Sequence, residues 1–467
     1  MYDAARDNKT ICALASAHGA SAISVIRLSG PDSYKIIKMA CPGLKRKPLE
    51  SHRVYLAKFF NHVSVVDQVL VTCFDHGHSY TGEETIEISC HGSAHIVSKI
   101  IEHLIDLGAL SAIKGEFTYR SFMNGRLDLV QAEAVLSVIE SQSDESLKLS
   151  LRQLDGYVSK TFIHIEDQLT WCLAHIEASI DFSTEGIDVV DNNVLIDKLF
   201  EIQKQLARVV ESYSSGKVLK DGIKLVLAGQ PNVGKSSLLN LLVLDDRAIV
   251  TNIAGTTRDV VQSSTIFNGL KFMISDTAGL RETTDVVESI GVTRSKLEIK
   301  NADITLFVYD LSVGLTADDL KQAEALFGKV IVVGNKNDLI SHEINSQLAA
   351  DVERLLSSNK NITILYALSV SALDVSCRES ILGHISSIYR QNEYSDDSII
   401  TSARQFEYSK YALDLITQNI AELNTGVGSE YVAQTLKQAL INIQSILGRH
   451  FDDQIMDRVF KEFCLGK

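Results

Sequence analysis

Gly229 to Ser236, GQPNVGKS, lies between the apolar run Ile223–Ala228 and a helical stretch that begins at Lys235, and its reading decides the fold around it. The octet fits G-x-x-x-x-G-K-[ST], whose glycines let the backbone turn sharply enough for successive N–H groups to converge. Such a concavity at a helix start attracts phosphate, because unsatisfied N–H groups and the helix dipole both favour negative charge. Asn232, Val233, Gly234, Lys235, Ser236 and Ser237 are therefore the expected phosphate cradle. Lys235 supplies charge to the β- and γ-phosphates and is the first candidate catalytic residue; the Ser236 hydroxyl is an expected Mg²⁺ ligand.

Three more signatures follow in the order a guanine-nucleotide site needs them. Asp276, Thr277, Ala278 and Gly279 (DTAG) end the strand-like run KFMISD, where a carboxylate can hold Mg²⁺ through water and a glycine amide can meet the γ-phosphate. Asn335, Lys336, Asn337 and Asp338 (NKND) end the run KVIVVGN. A carboxylate at Asp338 accepts from guanine N1–H and the exocyclic amine, a donor pair that adenine lacks. Ser371 and Ala372 complete the base pocket, with their backbone expected to face guanine O6. The polar loop Thr251, Asn252, Ile253, Ala254, Gly255, Thr256, Thr257, Arg258, Asp259 (TNIAGTTRD) is suited to closing over the nucleotide, with Thr257 as the second Mg²⁺ hydroxyl. Singly, each signature also reads as an ordinary turn; together they predict GTP binding and hydrolysis.

Leu280 follows DTAG directly, where Ras-like GTPases carry the glutamine that orients the attacking water. An apolar side chain cannot do that. Glu288, in VESIG, is the acidic candidate downstream, and Arg258, Arg281 and Arg294 are the candidate sources of positive charge in the transition state. Solvated loop residues remain the plain reading of all four.

Around these motifs the texture alternates strand and helix: IKLVLAG, the helix from Lys235, then KFMISD, ITLFVYD and KVIVVGN. Continuous apolar strands of this kind require a parallel sheet covered on both faces. Before it, Ala22–Leu28, Gln68–Phe74 and Thr85–Ser89 read as strands and His95–Leu107 as a helix, giving an α+β segment. From about Leu127, apolar Leu129, Ala132, Leu136 and Ile139 recur at helical spacing, and helix resumes after about Ser386. The expected organisation is α/β and α+β multidomain: residues 1–124 α+β, 125–216 helical, 217–388 an inserted P-loop G domain of Ras-like type, and 389–467 the remaining helical part.

Composition narrows the partners. A formal net charge of −14 disfavours a broad electrostatic grip on nucleic acid, DNA above all. Residues 1–120 are nearly neutral, with 13 basic and 12 acidic side chains, so an anion approaches there more easily; Lys45, Arg46 and Lys47 form a small basic run that also reads as a solvated loop. Seven scattered cysteines without a C-x-x-C pair predict free thiols in a reducing compartment, and no leader or long apolar run is seen, so the expected location is cytoplasmic, away from membranes. Cys90, His91 and His95 imitate a metal cluster without a fourth ligand at suitable spacing.

Beyond the G domain, SVIRLSG (24–30), SYTGEETIEISCHG (79–92), GEFTYRSFMNGRLDLVQAEAV (115–135), IDF (180–182), VESIG (287–291) and the terminal CLGK (464–467) resemble the MnmE (TrmE) family of tRNA-modifying GTPases. The resemblance also takes in NVGKSSLLN (232–240), TNIAGTTRD (251–259) and DTAGLRE (276–282), so it runs along nearly the whole chain. It implies an N-terminal domain that dimerises and binds a 5-formyl- or 5,10-methylene-tetrahydrofolate, with Arg27, Glu87, Arg126 and Lys467 at the folate-contacting positions. It further implies GTP hydrolysis when two G domains meet, with K⁺ at the arginine-finger position held by Asn232, Thr251, Ile253 and Thr256, Mg²⁺ by Ser236 and Thr257, and water oriented by Glu288. The implied partner is an MnmG-type flavoprotein carrying FAD, in a heterotetramer or larger, and the implied substrate is the wobble uridine of certain tRNAs, which receives a carboxymethylaminomethyl- or aminomethyl-type group at C5. Cys464 matches a cysteine beside the modification site, though a plain terminal thiol is an equal reading, and SALDVSC departs from the usual Gly-rich continuation after the base-pocket serine. The competing class is a ribosome-assembly switch, which often carries a KH module; no G-x-x-G occurs in residues 390–467. A structural dimer with relic folate binding is the third reading.

Overall fold

The computed structural model describes residues 6, 8–45, 48–181, 192–243, 263–276, 297–340, 344–390, 398–425, 427–450, 459–463 and 466. The chain divides into two compact units, one built from residues 1–139, 151–210 and 403–467, the other from 140–150 and 211–402.

The first unit opens with β1 (Ile11–Leu14), β2 (Ser21–Ser29), α1 (Ser33–Ala40), β3 (Val54–Phe60), β4 (Val65–Phe74), β5 (Thr85–Gly92), α2 (Ala94–Asp106), β6 (Leu110–Ser111) and α3 (Glu116–Met123). Its sheet has the order β3-β4-β5-β2-β1-β6, antiparallel throughout except for the parallel β1–β6 pair. Alternation sets the faces: Ile26, Leu28, Ile86 and Ile88 bury against Ile36, Ile37, Ile100 and Leu104 of α1 and α2. The intervening Arg27 and Glu87 belong to the opposite face, where Ile11, Ala13, Ala112 and Phe117 form a smaller core. Strands β1 and β3 escape a reading by alternation for opposite reasons. All four residues of β1 are buried, while β3 leaves Val54 and Leu56 exposed.

Four helices follow: α4 (Leu129–Glu140), α5 (Asp144–Leu154), α6 (Tyr157–Asp181) and α7 (Asn192–Asp221). The apolar stripe expected on α4 is only partly right. Leu129 and Ala132 are buried, but Ile139 is exposed, and the helix instead buries Val130, Ala134 and Val135 as well. The wider buried face meets Phe460 and Phe463 near the C-terminus.

The second unit adds β7 (Ile223–Ala228), α8 (Lys235–Val243), β8 (Ser263–Phe267), β9 (Leu270–Asp276), β10 (Ile304–Asp310), α9 (Ala317–Ala323), β11 (Gly328–Asn335), α10 (Ile344–Ser358), β12 (Ile362–Ser369) and α11 (Ser376–Arg390). Its sheet order is β12-β11-β10-β7-β9-β8, parallel except for β8 against β9. The unbroken apolar runs have a direct cause. Ile304, Leu306 and Val308 of β10 face one core with Leu238 and Ile381, whereas Phe307 and Tyr309 face another with Ala323 and Leu355, so both faces of the strand exclude water. The chain then closes the first unit with α12 (Ala403–Thr425) and α13 (Ser429–Leu447), which pack on each other, and α13 also packs on α6.

The six described cysteines, Cys12, Cys41, Cys73, Cys90, Cys172 and Cys377, are buried free thiols, and burial pushes the Cys12 thiol up to about 12. Cys90 Sγ donates to Ser24 O and His91 pairs with Asp67, so Cys90 and His91 are engaged elsewhere rather than joined with His95 as metal ligands. Lys45 is exposed; Arg46 and Lys47 lie outside the described residues.

One cluster of buried charge in the first unit centres on Arg120. Arg120, 3% exposed, donates to both carboxylate oxygens of Glu83 at 3.1 Å, to Glu116 Oε1 at 3.2 Å and to the carbonyls of Lys9 and Arg6. Glu116 also accepts from Arg6 and from Ile113 N–H. Removing the central cation leaves two carboxylates without their shared partner, so Arg120→Met is expected to destabilise this unit by about 3–5 kcal/mol. Urea unfolding of the full chain, followed by near-UV circular dichroism, checks it.

Candidate nucleotide-binding site

The carboxyl ends of parallel strands share one edge of a sheet, and ligands bind outside that edge where the strand order reverses. In the second unit the reversal falls at β7, flanked by β9 on one side and β10 on the other. In register, Leu227 lies opposite Asp276, Asp310 opposite Asn335, and Gly334 opposite Ser369. The polar residues that end these apolar strands are thus gathered along one edge.

The loop from β7 into α8 is held by backbone geometry. Asn232 adopts the left-handed region at φ 67°, and Gly234 has φ 96° with its Cα so placed that a Cβ would lie 2.2 Å from Asn335 Nδ2. Only glycine allows that approach. Lys235 is buried and donates to Gly229 O at 2.8 Å and Gln230 O at 2.6 Å, so its charge is held over the loop itself. Ser236 and Ser237 are exposed in the first turn of α8, and the Ser236 hydroxyl donates to Asp276 Oδ2 at 3.3 Å. A hydroxyl and a carboxylate at this separation offer hard oxygen donors, the kind Mg²⁺ selects.

Asn335 is the bracket between two loops. Its Nδ2 donates to Val233 O at 2.8 Å and its Oδ1 accepts from Ala372 N–H at 3.0 Å. The Ala372 amide, expected to face guanine O6, is therefore engaged by Asn335. Asn337 N–H donates to Val370 O, tying the same loops once more. Lys336, at φ 65°, reaches Asp310 Oδ2 at 2.6 Å. Burial raises the Asp310 carboxyl, but hydrogen bonds from Lys336 and Ser312 outweigh it and hold the group below the usual carboxylate range. Asp338 is exposed in the single turn Asn337–Leu339. Ser371 is buried, and its Oγ accepts from Leu373 N–H at 3.3 Å. The SALDVSC departure falls on exposed Leu373 and Val375, while Asp374 accepts from the Ser376 N–H and hydroxyl at the start of α11.

Asp310 was not singled out from sequence, although its signal is the one that marks Asp276 and Asn335: a polar residue closing an apolar strand. Thr251, Asn252, Ile253, Ala254, Gly255, Thr256, Thr257, Arg258, Thr277, Ala278, Gly279, Leu280, Arg281, Glu288, Arg294, Cys464 and Lys467 lie outside the described residues.

In the first unit, Arg27 and Glu87 face each other across β2 and β5 and pair at 2.9 Å. The Arg27 guanidinium lies 5.1 Å from the Tyr80 ring centroid and 5.5 Å from that of Phe117, and its Nη1 is buried without a hydrogen-bond partner. Arg126 is exposed, its Cγ 3.2 Å from where a Gly82 Cβ would stand, on the turn that also carries Tyr80. Gly466, at φ 94°, packs on Leu14 O, next to the residue that pairs with Arg27. Sequence reasoning did not find Tyr80 and Phe117, because one lies in a loop and the other reads as an ordinary core aromatic.

Two family models match the chain: the GTP-binding protein TrmE N-terminus over residues 10–126 and the MnmE helical domain over 129–464. Curated relatives include a tRNA modification GTPase MnmE of Bdellovibrio bacteriovorus, 47% identical with 99% of this chain and 98% of the relative covered. The chain belongs to the MnmE family of tRNA modification GTPases. MnmE proteins of Moorella thermoacetica and Alkaliphilus metalliredigens are 39% and 35% identical, each with 98% of this chain and 99% of the relative covered. Family membership agrees with a P-loop unit whose sequence is interposed between helical segments.

Replacing Asn335 by Ala strands the buried Val233 carbonyl and Ala372 amide, each worth about 1–3 kcal/mol. Fluorescent-GDP titration of Asn335→Ala is expected to give at least about a tenfold loss of affinity.

Proposed function

We propose that the chain is a K⁺-dependent GTPase that acts as a homodimer in the cytoplasm. With an MnmG-type flavoprotein it adds a carboxymethylaminomethyl- or aminomethyl-type group to C5 of the wobble uridine in certain tRNAs. The observation that carries this reading is the end-to-end likeness to MnmE proteins, N-terminal and helical segments included. It is also supported by the acidic net charge, which suits a protein that meets tRNA largely through its partner, and by the lack, among the described residues, of a helix long and apolar enough to cross a membrane.

In this reading Lys235 neutralises phosphate charge, Ser236 and Thr257 ligate Mg²⁺ with Asp276 beside them, and Asp338 selects guanine. Leu280 leaves the water without a partner at its own position, and Glu288 orients it instead. Asn232, Thr251, Ile253 and Thr256 would hold K⁺, which supplies the positive charge an arginine finger gives elsewhere. Hydrolysis provides conformational drive, and the carbon comes from a tetrahydrofolate one-carbon unit with FAD on the partner. The folate assignment to Arg27, Glu87, Arg126 and Lys467 fits one feature of the fold: Arg27 keeps a buried, unpartnered Nη1 between two aromatic rings, a place for an acceptor on a flat heterocycle or its acidic tail. Glu87, opposite Arg27 on the same face, would accept from ring N–H groups. Cys464, which matches the family's cysteine beside the modification site, would supply a thiol there.

GTP turnover is expected to be faster in K⁺ than in Na⁺ at equal ionic strength, and Glu288→Ala to bind GTP while losing hydrolysis. Equal rates in the two salts, measured by phosphate release, would remove the cation assignment. In a deletion strain, nucleoside mass spectrometry is expected to find wobble uridine unmodified at C5; intact wobble nucleosides beside immature ribosomal subunits would overturn the tRNA reading.

A further inference from the structure

A second cluster of ligating side chains lies in the first unit, among residues used neither by the nucleotide site nor by the Arg27 pair. The turn joining β3 to β4 is fixed by Asn61, whose Oδ1 accepts from Val63 N–H at 3.0 Å and Ser64 N–H at 2.7 Å and whose own N–H donates to Ser64 O. This holds His62 at the tip. On α2, His103 and Asp106 are three residues apart and therefore share one side of the helix. The ligating atoms of His62, His103 and Asp106 all lie within 4.8 Å of one another. His62 Nε2 is 3.5 Å from Asp106 Oδ2, and the two imidazole rings stand nearly perpendicular with centroids 4.6 Å apart.

An ion pair between His62 and Asp106 accounts for two of the three. It does not account for His103. That imidazole is 7% exposed, set edge-on to Phe59 at 5.9 Å, and its Nδ1 is buried without a hydrogen-bond partner. Buried polar atoms are almost always satisfied, so an imidazole kept here without a protein partner points to a ligand.

We propose that His62, His103 and Asp106 bind one divalent transition-metal ion of the Zn²⁺ type, with water or an external donor in the fourth position. Two imidazoles and one carboxylate make a nitrogen-rich donor set that suits Zn²⁺ and its neighbours, whereas Mg²⁺ and Ca²⁺ demand oxygen shells. The ion would pin the β3–β4 turn to the last turn of α2.

The test uses the full chain saturated with Mg²⁺ and GDP, so that the oxygens of the nucleotide site are occupied. Co²⁺ is titrated by visible absorption, and Zn²⁺ by calorimetry and by displacement of Co²⁺. One equivalent with tetrahedral Co²⁺ bands, displaced by Zn²⁺, is expected for the natural protein. Affinity should fall at least about tenfold in both His62→Ala and Asp106→Asn, which alter exposed positions and should leave thermal unfolding without metal and GTP turnover unchanged. Absence of the bands in the natural protein, or equal affinity in the natural protein and both variants, would overturn the site. Should one variant fail to fold, the other decides.

Discussion

One carboxamide holds the nucleotide site together. Asn335 spends its amide hydrogen on the phosphate loop at Val233 and its oxygen on the base-pocket loop at Ala372. The loop after β7 and the loop after β12 are thereby set at a fixed separation. Rigidity of this kind reduces the ordering cost of binding. It also explains Gly234, since any side chain there would occupy the space of the bracket.

The bracket works because the sheet delivers its parts. β7, β9, β10, β11 and β12 run parallel, so the residues that end them emerge on one edge. Their apolar interiors, buried on both faces, fix the register, and the polar terminal residues Asp276, Asp310 and Asn335 follow from it. Asp310 extends the arrangement by anchoring Lys336, which lets the chain pass through a left-handed residue before Asp338.

The first unit answers a different constraint. Its antiparallel sheet is packed by α1 and α2 on one face, while the other is covered by a small core around Phe117, and polar residues are admitted there. Arg27 is neutralised by Glu87 directly across the ladder and enclosed by Tyr80 and Phe117, with one nitrogen left over. Arg120 is held by two carboxylates and two carbonyls nearby, with its Nε left without a partner. Arg120 meets two carboxylates, whereas Arg27 meets one and lies beside two aromatic rings.

The sequence alone determined the parallel α/β unit, its phosphate loop and its guanine signatures, because these depend on local spacing: an apolar strand, a glycine turn and a helix start within a few residues. It also determined the family, through motifs spread from Ser24 to Lys467. Whole strands such as β1, buried on both sides, and the misjudged Ile139 were not legible, because burial depends on what packs against an element rather than on its own pattern. Only the tertiary structure decided that Asn335 joins two loops, that Tyr80 and Phe117 enclose Arg27, and that His62 meets His103 and Asp106. Those contacts link residues up to 102 positions apart, as for Asn335 and Val233, and separations of that length leave no trace in local periodicity.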